Sequence, residues 1–148
     1  MIFTLRSSAP EESLAIGRRL GSQLRGSEIV LVSGELGAGK TTFIKGLAQS
    51  LGIPVDEVVS PSYVLMNHYR GAHDLFHFDL YRLGPLPAGL ENPVDEYVGA
   101  GVVAVEWAQY LGQDYFSLAG AIAVSIAPGR GDERQVTVSS MLPYISPR

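Results

Sequence analysis

Residues 34–41 read Gly-Glu-Leu-Gly-Ala-Gly-Lys-Thr, which satisfies every position of G-x-x-x-x-G-K-[ST] and adds a further glycine at position 37. Such a loop works by turning successive backbone N–H groups inward at the positive end of a helix, so it carries weight only between a strand and a helix. Both flanks meet that condition. Residues 28–32, Glu-Ile-Val-Leu-Val, form the short apolar, β-branched run of a strand buried on both faces. Over residues 40–51 the apolar positions Phe43, Ile44, Leu47, Ala48 and Leu51 fall at helical spacing, and Gly52 and Pro54 end the segment. A bare glycine turn with a solvent-facing lysine, conceivable in a chain with 17 glycines, does not account for both flanks. In this unit Lys40 is expected to bridge the β- and γ-phosphates and the Thr41 hydroxyl to hold Mg²⁺. Thr42 reads equally as an α-phosphate contact and as a first-turn helix residue.

The rest of the chain alternates elements around this unit. Ser8-Ala9-Pro10-Glu11 has S-x-x-E spacing with proline in the first turn, predicting a capped helix to about Leu24 with Leu14, Gly17, Leu20, Gly21 and Leu24 inward and Gly26 as its stop. Residues 63–69 and 75–81 predict two antiparallel strands around the connection 70–74. The Pro/Gly-rich segment 85–92 reads as loop, 94–98 as a short helix, and 102–105 as a second buried strand. Residues 121–127 and 135–141 flank Pro128-Gly129-Arg130-Gly131-Asp132 and predict a late hairpin. The expected fold is a single α/β P-loop domain spanning 1–148: a mixed central sheet, parallel near the P-loop with antiparallel hairpins later, flanked by helices. Nucleotide is expected at the carboxyl ends of the parallel strands.

Phosphate-loop enzymes also need carboxylates at strand ends, one to organise the metal and often one to orient the attacking water. Asp79 closes Leu75-Phe76-His77-Phe78, and Glu106 follows Val102-Val103-Ala104-Val105. Spacing alone does not say which touches the metal. Ser60-Pro61-Ser62-Tyr63 lies where related loops carry a γ-phosphate switch, and it reads equally as a polar turn. His77, inside an apolar strand, reads as a core histidine rather than a base, and Trp107 as core rather than a site wall. Arg130 and Arg134 in the late hairpin read as surface arginines or as phosphate ligands.

Composition narrows the function. A net charge of −4 from 15 acidic and 11 basic residues excludes a generally basic nucleic-acid surface, so any RNA connection runs through a partner. Zero cysteines and three scattered histidines argue against disulfide and zinc frameworks. The N-terminus lacks a basic region followed by an apolar run, and no stretch approaches the ~20 apolar residues that span a bilayer, so a cytoplasmic protein without membrane contact is expected. No Asn/Thr-Lys-x-Asp segment announces guanine, which favours ATP. A small-molecule kinase and a nucleotide-gated binding module stay open beside ATP hydrolysis.

The phosphate loop, Ser60-Pro61-Ser62-Tyr63, His77-Phe78-Asp79-Leu80-Tyr81-Arg82-Leu83, Asp95-Glu96-Tyr97 and Val105-Glu106-Trp107, in this order, resemble the TsaE (YjeE) family across nearly the whole chain. The resemblance implies a small P-loop ATPase required for N6-threonylcarbamoyladenosine at adenosine 37 of tRNAs reading codons that begin with A. It implies action with the TsaD and TsaB proteins and contact with tRNA only through that complex. ATP and Mg²⁺ are the implied cofactors, with weak turnover until partners complete the site. By the same resemblance Gly37, Ala38, Gly39, Lys40, Thr41 and Thr42 bind the phosphates. Thr41 and Glu106 hold the metal, Lys40, Asp79 and Glu106 are catalytic, and Arg134 approaches the nucleotide. The segment around Ser7, Ser8 and Glu11 lies toward the adenine. The chain departs from the family pattern with Glu at 35, Ser at 62 and Gln at 109, where Asp, Thr and Glu are usual. Gln109 has no carboxylate to act as a base, which throws the acid–base work onto Asp79 and Glu106.

Overall fold

The computed structural model describes residues 1–85 and 92–148. In chain order it runs β1 (Ile2–Ser7), α1 (Pro10–Gly21), β2 (Ile29–Gly34), α2 (Lys40–Ser50), β3 (Met66–Tyr69), β4 (Leu75–Asp79), β5 (Val102–Glu106), β6 (Ala121–Pro128) and β7 (Arg134–Ser140). The sheet has seven strands in the order β1-β7-β6-β2-β5-β4-β3. Its centre, β6-β2-β5-β4, is parallel, while β1–β7, β6–β7 and β3–β4 pair antiparallel. The mixed α/β domain expected from the sequence is therefore the fold observed.

Strand periodicity sorts the core into two layers. Val30 and Val32 of β2, with Val102, Ala104, Ile122, Val124, Val136 and Val138, face the layer that holds Ile16 and Leu20 of α1 and Phe43, Ile44 and Leu47 of α2. Ile29, Leu31, Phe76, Phe78, Val103 and Val105 face the other way, onto Trp107, Ala108, Leu111 and Val94. Both long helices thus cover one face. The opposite face is closed by 3₁₀ turns at Ala108–Tyr110 and Gln113–Ser117 and by the turns around Val94. On the helical side α1 and α2 meet through glycines: a Cβ on Gly17 would lie 2.0 Å from the Phe43 carbonyl oxygen, and one on Gly46 would lie 1.9 Å from that of Leu14.

Several expected boundaries move, each for a local reason. The cap of α1 is Ala9, not Ser8, because Pro10 takes the first helical position. The reaching carboxylate is consequently Glu12, which accepts the Ser8 N–H at 2.5 Å, and Glu11 is left exposed. Helix α1 ends at Gly21, although Leu24 beyond it is still buried. Strand β3 starts at Met66 because Pro61 to Leu65 form a turn closed by Leu65 N–H onto the Pro61 carbonyl, with Leu65 at φ 73°. Strand β4 stops at Asp79, whose Oδ1 accepts the Tyr81 N–H at 2.9 Å and turns the chain. The helix expected over 94–98 is a run of turns with i→i+3 bonds, Asp95 N–H to Asn92 and Tyr97 N–H to Val94. Most of the loop expected at 85–92 lies outside the described residues.

Between α1 and β2 the buried Glu28 acts as a clamp. It accepts N–H groups from Arg25, Gly26 and Ser27 and the Tyr144 hydroxyl at 2.6 Å. Burial alone would raise its carboxyl, but the Tyr144 hydroxyl and the backbone donors outweigh it and hold the group below the usual glutamate range. Burial and the same bond push the Tyr144 phenol up to about 12.

Candidate functional site

The parallel register delivers the site. Asp79 at the end of β4 pairs directly with Glu106 at the end of β5, and Glu106 pairs with Val32, two residues before Gly34. Three adjacent strands therefore end together where the phosphate loop begins. Because side chains alternate, His77, Asp79 and Glu106 share the face that α2 covers.

The loop has the backbone that an anion nest requires. Gly37 and Gly39 stand at φ 78° and 96°, left-handed angles that favour glycine, and a Cβ on either would meet nothing within 4 Å. Glycine is demanded there by the turn, and the space above the N–H groups at the start of α2 is open. Lys40 is 5% exposed; its Nζ donates to the Gly34 and Glu35 carbonyls at 2.9 and 2.8 Å and sits 4.2 Å from the centre of the Trp107 ring. Burial lowers the Lys40 ammonium below its ordinary range, and the negative charges of Glu106, Asp79 and Glu35 oppose that shift.

Thr41 Oγ1 donates to Glu106 Oε1 at 2.8 Å, and Ser60 Oγ donates to Asp79 Oδ2 at 2.6 Å. These oxygens line a cavity of about 680 Å³ together with Gly37, Gly39, Lys40, Thr42, Ser62, Tyr63, Tyr81, Arg82 and Trp107. A hydroxyl and carboxylates in one cleft beside the loop form a hard-oxygen donor set, of the kind that holds Mg²⁺ when phosphate oxygens and water complete the coordination. The chain's residues therefore fit that ion. A smaller cavity of about 360 Å³ joins Gly37 to Gly39 and Thr42 with Ala9, Pro10, Ser13, Asp132 and Arg134.

Lys40, Thr41, Thr42, Asp79 and Glu106 are thus brought around one cavity. Ala38 is buried and lines the smaller one, where the Arg134 guanidinium lies 3.5 Å from the Gly37 carbonyl. Arg130 is exposed and lines neither. Ser60, not Ser62, is the hydroxyl tied to a carboxylate. Trp107 belongs to the second core layer and is also a wall of the large cavity, with a left-handed backbone at φ 60° that swings its ring over Lys40. His77 is completely buried, and its Nε2 lies 2.6 Å from Glu106 Oε2. His68 pairs instead with Asp74 at 3.1 Å, away from the cavity.

The sequence excludes Gln109 as a base but gives no sign that its amide donates to the Gly34 carbonyl at 3.1 Å, and it assigns no individual role to Tyr81 and Arg82, which follow Asp79 into the cavity wall. Their proximity to Asp79 in the chain was the available signal for the last two. Arg82 stacks its guanidinium 3.9 Å over the Tyr63 ring at the rim.

Comparison with known proteins gives a consistent match. The family model "Threonylcarbamoyl adenosine biosynthesis protein TsaE" fits residues 7–136. Proteins called "tRNA threonylcarbamoyladenosine biosynthesis protein TsaE" are similar to the chain. The one from Treponema pallidum is 32% identical over 134 residues, covering 90% of this chain and 97% of its own length, and the one from Bacillus subtilis is 34% identical over 138 residues, covering 92% and 84%. A Synechocystis relative is 42% identical over 102 residues, 66% of this chain, and the match spans 64% of that relative and likewise 64% of one from Nostoc. Among solved structures, the crystal structure of Bacillus subtilis YdiB superposes with a TM-score of 0.74 at 29% identity, covering 96% of this chain and 87% of that one.

Proposed function

Because the chain belongs to the TsaE family, we propose that it is a Mg²⁺-dependent ATPase serving N6-threonylcarbamoyladenosine formation on tRNA, in concert with TsaD and TsaB proteins. Its relatives are named for that biosynthesis, and ATP hydrolysis is our reading of the site. The observation that carries it is the meeting of Thr41, Glu106, Asp79 and Lys40 around one cavity at the ends of three paired strands.

The backbone N–H groups of residues 37–42 take the phosphate oxygens, aided by the helix dipole of α2. Lys40 leaves the loop carbonyls to neutralise the β- and γ-phosphates. Thr41 and Glu106 would hold Mg²⁺, which when bound would supply charge neutralisation. Asp79, fixed by Ser60 Oγ and by the Tyr81 N–H, orients the attacking water. Arg134 approaches from the smaller cavity. Partners raise the rate by supplying further charge stabilisation.

Glu106→Gln tests the assignment because it keeps the shape and removes the anion. ATP hydrolysis, measured as inorganic phosphate released, is expected to fall by about 10²-fold, with ATP binding in EDTA within a few-fold of wild type. Phosphate release equal to wild type contradicts the role of Glu106. ADP that forms only when a metabolite is added as acceptor contradicts hydrolysis itself and marks a kinase.

A further inference from the structure

We propose that His77 is a positioning residue of the phosphate site: it donates from Nε2 to Glu106 Oε2 and so holds Oε1 toward Thr41 and the metal position. The inference rests on the assignment of Glu106 made above.

The sheet places the two side chains together. His77 pairs with Ala104, and Glu106 lies two residues further along β5 on the same face, a diagonal neighbour within reach of a long side chain. Both are almost fully buried, His77 at 0% and Glu106 at 3% exposure. The carboxylate is divided between two partners, Oε1 accepting from Thr41 at 2.8 Å and Oε2 facing His77 at 2.6 Å. The terminal torsion of a glutamate is broad and two-fold, so two anchors fix what the rotamer alone leaves loose.

The far side of the ring decides between orientation and proton transfer. In the proposed pair the carboxylate oxygen accepts and Nε2 donates. His77 Nδ1 is buried and has no hydrogen-bond partner among the described residues. Among the described residues no side chain stands beyond Nδ1 to deliver or remove a proton, which favours an orienting role over a relay. A histidine kept for packing alone is also disfavoured: Phe76 and Phe78 on either side are apolar, and an apolar residue at 77 would leave no orphaned nitrogen. What the imidazole adds at this position is one directed donor.

Two variants separate this role from a structural one. His77→Gln retains an amide donor at the level of Nε2, and His77→Leu has none. Calorimetric titration of ATP in Mg²⁺ and in EDTA gives the tightening that the metal confers. In His77→Leu that tightening, and hydrolysis with it, is expected to fall by about 10-fold or more, with affinity in EDTA within about twofold of wild type. His77→Gln is expected to recover both to within a few-fold. Equal metal-dependent tightening in wild type and His77→Leu overturns the proposal, as does a Gln variant no better than the Leu variant. If wild type shows no tightening by Mg²⁺, the assignment of Glu106 falls and this inference with it. Nitrogen NMR of the wild-type histidines reads the bond without any substitution. A neutral His77 ring protonated at Nε2 supports the proposal, and protonation at Nδ1 with a bare Nε2 overturns it.

Discussion

Lys40→Ala is expected to lower ATP hydrolysis by about 10²–10³-fold, the cost of removing one preorganised cationic donor from a transition state that spreads charge over phosphoryl oxygens. The geometry makes the loss specific. Lys40 Nζ rests on the Gly34 and Glu35 carbonyls and against the Trp107 ring, contacts that hold the ammonium at the mouth of the loop. Alanine at 40 keeps the helical start of α2 and costs little in helix propensity, so the fold is expected to survive. A phosphate-release assay beside a thermal melt distinguishes the outcomes. Hydrolysis within a few-fold of wild type, in a variant that melts normally, would mean that the loop is not the catalytic centre.

The largest effect on stability is expected from Gly46→Ala. In an exposed helix this change gains about 1 kcal/mol from propensity. Here the new Cβ would lie 1.9 Å from the Leu14 carbonyl oxygen, 2.8 Å from its carbon and 3.0 Å from the Arg18 nitrogen, all of them backbone atoms of α1. No rotamer relieves such a contact, so α1 and α2 must move apart and loosen the packing of Ile16 and Leu20 against Phe43 and Leu47. Overpacking of this kind outweighs the propensity gain, and a net loss of about 2–4 kcal/mol follows, a drop on the order of 10 °C in Tm for a domain of this size. Gly112→Ala is the control, because a Cβ there meets nothing within 4 Å and its φ of −66° suits alanine. Denaturant unfolding of both variants is the check; a Gly46→Ala protein as stable as the control would show that the helices do not meet through their glycines.

How much of this was legible in the sequence depends on how local the cause is. The phosphate loop is a contiguous string whose flanks share its phase, so strand, turn and helix could be read together. Asp79 and Glu106 were legible as carboxylates at the ends of apolar runs. That they sit opposite each other depends on the β4–β5 register, which no spacing along the chain reveals. Strand β1 escaped notice because it is an edge strand whose strand partner among the described residues, β7, lies more than a hundred residues away. The antiparallel partner of β4 came out shorter than expected because Pro61 forces a turn through Leu65. The α1 cap slipped by one residue because proline preference for the first helical turn outranked the S-x-x-E spacing. His77 illustrates the limit most clearly. Its apolar neighbours announced a core residue, which its burial bears out, and only the three-dimensional pairing reveals Glu106 at its Nε2.

The central claim is that this loop hydrolyses ATP in the service of tRNA threonylcarbamoyladenosine formation. The most direct measurement is phosphate release by the purified chain in Mg²⁺, alone and then with its own TsaD and TsaB proteins and tRNA, with Lys40→Ala as the blank and the modified nucleoside quantified in the same reaction. The account predicts a low basal rate that rises at least severalfold with the partners, disappears in the variant, and accompanies repeated rounds of nucleoside formation. A rate indifferent to the partners, or nucleoside formed equally well with Lys40→Ala, would contradict it.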